Sequence, residues 1–212
     1  MPLSVRVEAP PEPECTVVVI DDDGAVRKSV GRLLRSVELN AQLFASVQEF
    51  LDAPRPQGAS CLVLDVRLPG QNGLEFQREL VAASIQLPVI FITGHGDIPM
   101  SVQAMKRGAI EFLTKPFRDQ DLLDAVGIAL DRDRSQREKE KALAMLQARV
   151  RTLTAREFDI MVHVVRGRLN KQIAGDLGIS EVTVKVHRRN MMRKMKAVSL
   201  PELTRMADKL NL

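Results

Sequence analysis

Cys61-Leu62-Val63-Leu64-Asp65-Val66-Arg67-Leu68-Pro69-Gly70-Gln71-Asn72-Gly73 is the stretch on which the fold turns. Four apolar or thiol side chains in a row before Asp65 predict a strand buried on both faces, the pattern of a parallel sheet. A Pro/Gly loop follows at once, so Asp65 stands at a carboxyl strand end, where open α/β sheets place their ligands. Alone, it could equally be an acid that caps the loop. A second acidic strand end tips the balance. Thr16-Val17-Val18-Val19-Ile20 is another buried-strand pattern and runs into Asp21-Asp22-Asp23-Gly24. Two such ends in one small domain can bring three carboxylates together, and that cluster repels itself unless a divalent cation sits in it. Oxygen ligands with no His or Cys nearby in sequence suit a hard ion, Mg²⁺ or Mn²⁺. One carboxylate could then act as nucleophile toward a phosphoryl group while the cation neutralises the phosphoryl oxygens.

Outward from these two strands the pattern alternates. Helical spacing covers Ala25–Ser36, with Asp22 or Asp23 as its cap, and Ala41–Ala45 is a weak strand. Ser46–Leu51 reads as a short helix, stopped by Pro54 and Pro56. Asn72-Gly73 turns into a helix over Leu74–Ala83. Leu87–Thr93 is an apolar strand, Gly94-His95-Gly96-Asp97 a loop, Ile98–Arg107 a helix closed by Gly108, and Ala109–Thr114 a last strand before Lys115-Pro116. Five strands alternating with helices predict an α/β doubly wound, five-stranded parallel sheet.

From Asp119 onward the pattern is helical, with no proline between Pro116 and Pro201. Asp131–Lys141 is almost entirely charged and reads as the solvated face of a semi-rigid helical linker. Leu143, Leu146, Val150 and Leu153 then resume helical spacing, either as a dimer seam or, more commonly, as packing on their own domain. Thr154-Ala155-Arg156-Glu157 is a capping-box pattern. Helices over Phe158–Val165, Asn170–Leu177, Glu181–Lys196 and Leu200–Leu210 follow, separated by Gly167, Gly178 and Ser180. The expected organisation is a loose tail over 1–14, an α/β domain over 15–130, a helical linker over 131–150 and an all-α domain over 151–212.

Composition narrows the classes. There is no Trp or Tyr and there are seven Phe, which argues against an aromatic platform for single strands. The two cysteines, Cys15 and Cys61, have no metal spacing, and a reducing cytoplasm suits them. No apolar run approaches the ~20 residues of a membrane helix, and Pro2, Pro10, Pro11 and Pro13 replace the apolar core of a secretion signal. Residues 1–118 carry 12 basic against 14 acidic side chains, and residues 151–212 carry 13 against 6. A basic back half points to a polyanion.

Three further residues suit the Asp65 site. Lys115 ends a strand and can pair with carboxylates or a phosphoryl oxygen, and its bond to Pro116 is a candidate for cis. Thr93 ends the neighbouring strand with a hydroxyl. Arg67 can offer its backbone carbonyl to a metal. Phe112, taken alone, is ordinary core. Asp21-Asp22, Asp65, Thr93 and Lys115-Pro116, in this order on successive strand ends, resemble the receiver domain of two-component response regulators, a flavodoxin-like fold, over about residues 15–130. Thr93-Gly94-His95-Gly96-Asp97-Ile98-Pro99-Met100 further resembles the FixJ branch. The resemblance implies that Asp65 accepts a phosphoryl group from the phosphohistidine of a sensor histidine kinase. It also implies that Asp21, Asp22, Asp65 and the Arg67 carbonyl hold Mg²⁺, that Lys115 pairs with the phosphoryl group, and that Thr93 and Phe112 form the switch. His95 reads as a loop residue near the site.

In the back half, Leu153-Thr154-Ala155-Arg156-Glu157, Asn170-Lys171-Gln172-Ile173-Ala174 and Thr183-Val184-Lys185-Val186-His187 resemble the LuxR-type helix-turn-helix of the NarL/FixJ family. Leu169 departs from the small residue expected before the asparagine. Charge agrees independently: Lys185, Arg188, Arg189, Arg193, Lys194 and Lys196 share a segment with no acid between 182 and 196, as a phosphate-lined groove requires. By the family pattern Lys185, Val186 and Arg189 would read base edges, while Asn170, Lys171, Thr183, His187 and Arg188 would hold phosphates. The whole chain then reads as a cytoplasmic transcription factor. It would be phosphorylated at Asp65, dimerise, bind double-stranded promoter DNA and work with RNA polymerase, without a membrane. Two rivals stand. An aspartate-nucleophile phosphohydrolase would want an acid where Arg67 lies. A DNA-binding protein with a passive front half would show no switch.

Overall fold

The computed structural model describes residues 15–83, 85–94 and 98–212. The 1–14 segment and His95 lie outside these residues. The chain divides into two compact units, the first reaching Arg137 and the second starting at Glu138.

The first unit is a five-stranded parallel sheet. Its strands are β1 (Thr16–Ile20), β2 (Asn40–Phe44), β3 (Ser60–Asp65), β6 (Val89–Thr93) and β7 (Glu111–Thr114). Their order across the sheet is β2-β1-β3-β6-β7, so β3 is central. Every residue of β1, β3 and β6 is buried, which is why those segments read as unbroken apolar runs rather than alternating ones. Val18, Ile20, Leu62, Leu64 and Phe91 pack on one face, and Val17, Val19, Val63, Ile90 and Ile92 on the other. Helices cover both faces: α1 (Gly24–Ser36), α2 (Val47–Asp52), α3 (Gly73–Ala82), α4 (Ile98–Lys106) and the start of α5 (Asp119–Arg151). Asp23 caps α1, its side chain accepting from Ala25 and Val26 N–H. Ser46 caps α2.

The loop after β3 holds a small feature that no periodicity announced, an antiparallel pair of β4 (Arg67–Leu68) and β5 (Gln71–Asn72). Gly70 turns it with φ +79°, a conformation that side chains disfavour. Asn72 then caps α3. Gly73 is required by space. A Cβ there would lie 2.5 Å from the Asp65 carbonyl oxygen and 3.1 Å from Val66 Cα.

In the second unit, α6 (Ala155–Val165), α7 (Asn170–Leu177), α8 (Glu181–Met195) and α9 (Leu200–Lys209) surround Ile160, Met161, Ile173, Val184, Met191, Met195 and Leu203. Leu146 is buried, and Val150 and Leu153 pack against this core. Val150 and Leu153, the end of the stripe after the charged run, therefore serve their own unit, while Leu143 at its start is exposed. Thr154 and Glu157 form the capping box that starts α6. No helix among the described residues is long and apolar enough to cross a membrane.

Candidate functional site: an acidic pocket at the sheet edge and a basic helix

Parallel pairing puts the carboxyl ends of β1, β3, β6 and β7 along one edge of the sheet. Asp21 follows β1 and Asp65 ends β3, and with Asp22 they place carboxylate oxygens within 4.8 Å of one another. Asp21 and Asp65 are buried and Asp22 is exposed, so the cluster opens to solvent on one side. Lys115, the first residue after β7, crosses the edge. Its Nζ donates to Asp21 Oδ2 and to Asp65 Oδ2, each at 2.6 Å. The Lys115–Pro116 peptide is cis.

The second oxygen of each buried acid is held by backbone. Asp21 Oδ1 accepts from Asp23 N–H at 2.9 Å, and Asp65 Oδ1 from Arg67 N–H at 2.9 Å. These bonds fix both carboxylates before any ligand arrives. Burial holds the Asp21 pKa above its ordinary value, while Lys115 and the Asp23 N–H pull it the other way. For Lys115 burial favours the neutral amine, yet the hydrogen bonds to Asp21 and Asp65 keep its pKa above the usual lysine value. One ammonium against three acids leaves excess negative charge, and an all-oxygen set of this kind fits a hard divalent cation.

Thr93 ends β6, one residue beyond the partner of Asp65 in the register, and is fully buried. Its carbonyl accepts from Lys115 N–H at 2.8 Å. Phe112 lies on β7, half-buried, its ring 6.3 Å from that of Phe91. It belongs to the core beside the site rather than to the carboxylate cluster. Arg67 shows an exposed side chain and its N–H on Asp65. One contributor had no sequence signal: Arg27, in the first turns of α1, donates from Nη1 to the Asp21 carbonyl at 2.5 Å. A lone arginine on an exposed helix gives no warning of that reach.

In the second unit, α7 ends at Gly178 in the left-handed conformation, and Ser180 caps α8. Val184, Met191 and Met195 point into the core, which leaves Lys185, Val186 and Arg189 exposed together on the opposite face. Among the described residues Lys185 and Arg189 have no ion pair or hydrogen-bond partner. Three other predicted contacts, Arg188, Asn170 and Thr183, are already engaged. Arg188 Nη1 donates to Asn170 Oδ1 at 3.0 Å, tying the two predicted phosphate ligands to each other. Thr183 shares a 2.8 Å hydrogen bond with the Ser180 hydroxyl. Lys194, counted above in the basic run, donates to buried Glu157 at 2.6 Å and so serves the fold.

Known proteins agree with both halves. Residues 17–127 match the response regulator receiver domain, and residues 151–207 match the bacterial regulatory proteins of the luxR family. Nodulation protein W of Bradyrhizobium diazoefficiens is 51% identical over 92% of this chain and 86% of its own. The transcriptional regulatory protein FixJ of Azorhizobium caulinodans is 49% identical over 90% of each chain. The solved response regulator StyR is 47% identical with a TM-score of 0.84, covering 92% of this chain and 99% of its own. A sheet edge carrying acids and a helix-turn-helix carrying cations thus have one shared explanation, a transcription regulator rather than a conventional enzyme. The chain belongs to the two-component response regulators that join a receiver to a LuxR-type DNA-binding domain, in the FixJ-like branch of the NarL/FixJ family.

Proposed function

We propose that Asp65 is the phosphoryl acceptor of this regulator and that its aspartyl phosphate sets DNA binding by the second unit. The observation that carries this is the meeting of Asp21, Asp22 and Asp65 within 4.8 Å under one lysine. A carboxylate oxygen of Asp65 attacks the phosphorus of a sensor kinase's phosphohistidine in line, and the P–N bond to the imidazole breaks. Asp21, Asp22, Asp65 and the Arg67 carbonyl would hold Mg²⁺ or Mn²⁺. When bound, that cation neutralises charge on the transferring phosphoryl oxygens. Lys115 keeps one hydrogen bond to Asp21 and turns the other toward the phosphoryl group, and the Thr93 hydroxyl takes a second phosphoryl oxygen.

The phosphoryl group brings about 1.5–2 negative charges in place of the single charge of the Asp65 carboxylate. Thr93 and Phe112 would act as the switch, reshaping the surface of α4, β7 and α5 so that two chains pair. Paired chains would set two α8 helices about one DNA turn apart on promoter DNA. There Lys185, Val186 and Arg189 would meet base edges, and Asn170, Lys171, Thr183, His187 and Arg188 phosphates. The domains would span 15–130 and 151–212 with a 131–150 linker between them, and the protein would work in the cytoplasm in contact with RNA polymerase.

The test is acetyl phosphate with Mg²⁺ on the full chain, read by intact mass, sedimentation and DNA binding. The parent is expected to gain one phosphoryl group, shift toward a dimer and bind DNA more tightly. Asp65→Asn is expected to do none of these. An Asp65→Asn chain that still dimerised in response to the donor would remove Asp65 from the role.

A further inference from the structure

Asp133 is the anomaly of the charged stretch. Sequence places it on a solvated helix face, yet it is 3% exposed. Its Oδ2 accepts from the backbone N–H of Ser60 at 2.8 Å and from Arg137 Nε at 2.5 Å. Arg137, one helical turn on, reaches further. Its Nη1 donates to the Gln57 carbonyl at 3.3 Å and its Nη2 to Ser60 Oγ at 3.2 Å. Ser60 is the first residue of β3 and is itself buried. Beside this group Arg134 Nη2 donates to Cys15 Sγ at 3.4 Å, just before β1.

Three positions on one side of α5, 133, 134 and 137, therefore grip the amino-terminal edge of the sheet, opposite the edge that carries Asp65. None of them belongs to the acidic pocket. A buried carboxylate tolerates its environment only while its donors are in place, and removing one donor leaves a costly unpaired charge. The grip ends where the first compact unit ends, at Arg137.

We propose that Asp133 and Arg137 form a latch that holds α5 to the receiver sheet as far as Arg137, and that the DNA-binding response to the receiver's state depends on it. The second clause rests on the proposed phosphorylation reading, and the first does not. With the latch closed, α5 and β3 behave as one body through residue 137. With it open, the helix from about Asp131 frays from the sheet, and a change at the Asp65 edge loses its rigid lever.

The test uses the full chain as Arg137→Met, which keeps the aliphatic stem and removes the donors. Asp133→Asn/Arg137→Met is the second variant, which removes the stranded charge. Amide hydrogen exchange followed by mass spectrometry is read for peptides covering 128–140 and for β1 and β3. In Arg137→Met the amides of 131–137 are expected to exchange about tenfold faster or more, with β1 and the part of β3 beyond Ser60 unchanged, and the double variant to recover part of the protection. The ratio of DNA affinities with and without acetyl phosphate is expected to fall toward one. Unchanged exchange at 131–137 overturns the latch, and so does uniform acceleration that includes β1 and β3. Local acceleration with an unchanged affinity ratio overturns the coupling. A parent chain whose DNA affinity ignores the donor defeats the phosphorylation reading and with it the coupling, while exchange alone still decides the latch.

Discussion

Replacing Lys115 by Met removes the cation that bridges the two buried acids and keeps most of the side-chain volume. In the parent its Nζ makes two bonds of 2.6 Å, to Asp21, whose side chain is fully buried, and to Asp65, whose side chain is 9% exposed. Breaking a buried pair by removing one partner costs about 3–5 kcal/mol. The Lys115 side chain is 18% exposed, and water reaches Asp22, so the expected loss is lower, about 2–4 kcal/mol. A urea slope of about 2 kcal/mol/M makes that a midpoint shift of roughly 1–2 M. The assay uses a thiol already in the fold. Cys61 is fully buried in β3 and its pKa is pushed up to about 12 by burial, so it reacts with an alkylating reagent only when the sheet opens. Pulsed labelling in a Cys15→Ser background then reports the receiver alone. Asp65→Asn added to Lys115→Met removes one of the stranded charges and is expected to return about 1–2 kcal/mol, a coupling that a double-mutant cycle measures. Mg²⁺ should bind Lys115→Met more tightly than the parent, because the ammonium no longer competes for the acids. A variant within 0.5 kcal/mol of the parent (roughly the scatter of neutral surface changes), or a strictly additive cycle, would refute the charge-bridge account.

Glu157 provides a pH prediction. The hydrogen bonds from Lys194 and from Thr154 N–H hold its pKa below the ordinary 4.5. A depressed folded pKa contributes stability that is present above 4.5 and fades as pH falls through the folded value. Thermal melts of the second unit should lose stability on acidification below 4.5, and Glu157→Gln should flatten that dependence while costing about 1–2 kcal/mol at neutral pH. Gly73→Ala drives a Cβ into the Asp65 backbone. It should destabilise the receiver by about 1–3 kcal/mol by Cys61 labelling and slow phosphoryl transfer as Asp65 is displaced. Arg189→Ala should relax sequence preference at one base position by about 1–3 kcal/mol, whereas Lys171→Ala should weaken binding to all sequences alike and reduce the salt slope by about one. Competition binding on a panel of DNA sites separates the two.

What was legible in the receiver follows from burial on both faces. Val17 to Ile20, Cys61 to Leu64 and Ile90 to Ile92 are inaccessible, so their composition is constrained at every position and the strands show as solid apolar runs. β2 is an edge strand with half-buried residues, and accordingly its signal was faint. The acids could be paired from sequence because parallel topology sends every strand's carboxyl end the same way. The β4–β5 turn could not, since two-residue strands have no period. Arg27 and Arg137 escaped for another reason: a long flexible side chain chooses its partner from the folded surface, and neither Asp21's carbonyl nor Gln57's leaves a mark in the residue order.

The basic helix shows where counting charge goes astray. Six cations and no acid across 182–196 is a strong signal for a polyanion, but the acid that answers one of them comes from another helix. Glu157 takes Lys194, and Asn170 draws on Arg188. Salt dependence of DNA binding scales with cations that neutralise phosphates, at about 0.9 per phosphate, so Lys194 should add nothing to the slope. Lys194→Met should accordingly cost stability in the second unit and leave the slope unchanged, while Lys171→Ala should do the reverse. The side-chain network of α8, rather than its net charge, thus decides which of its cations are left for a polyanion.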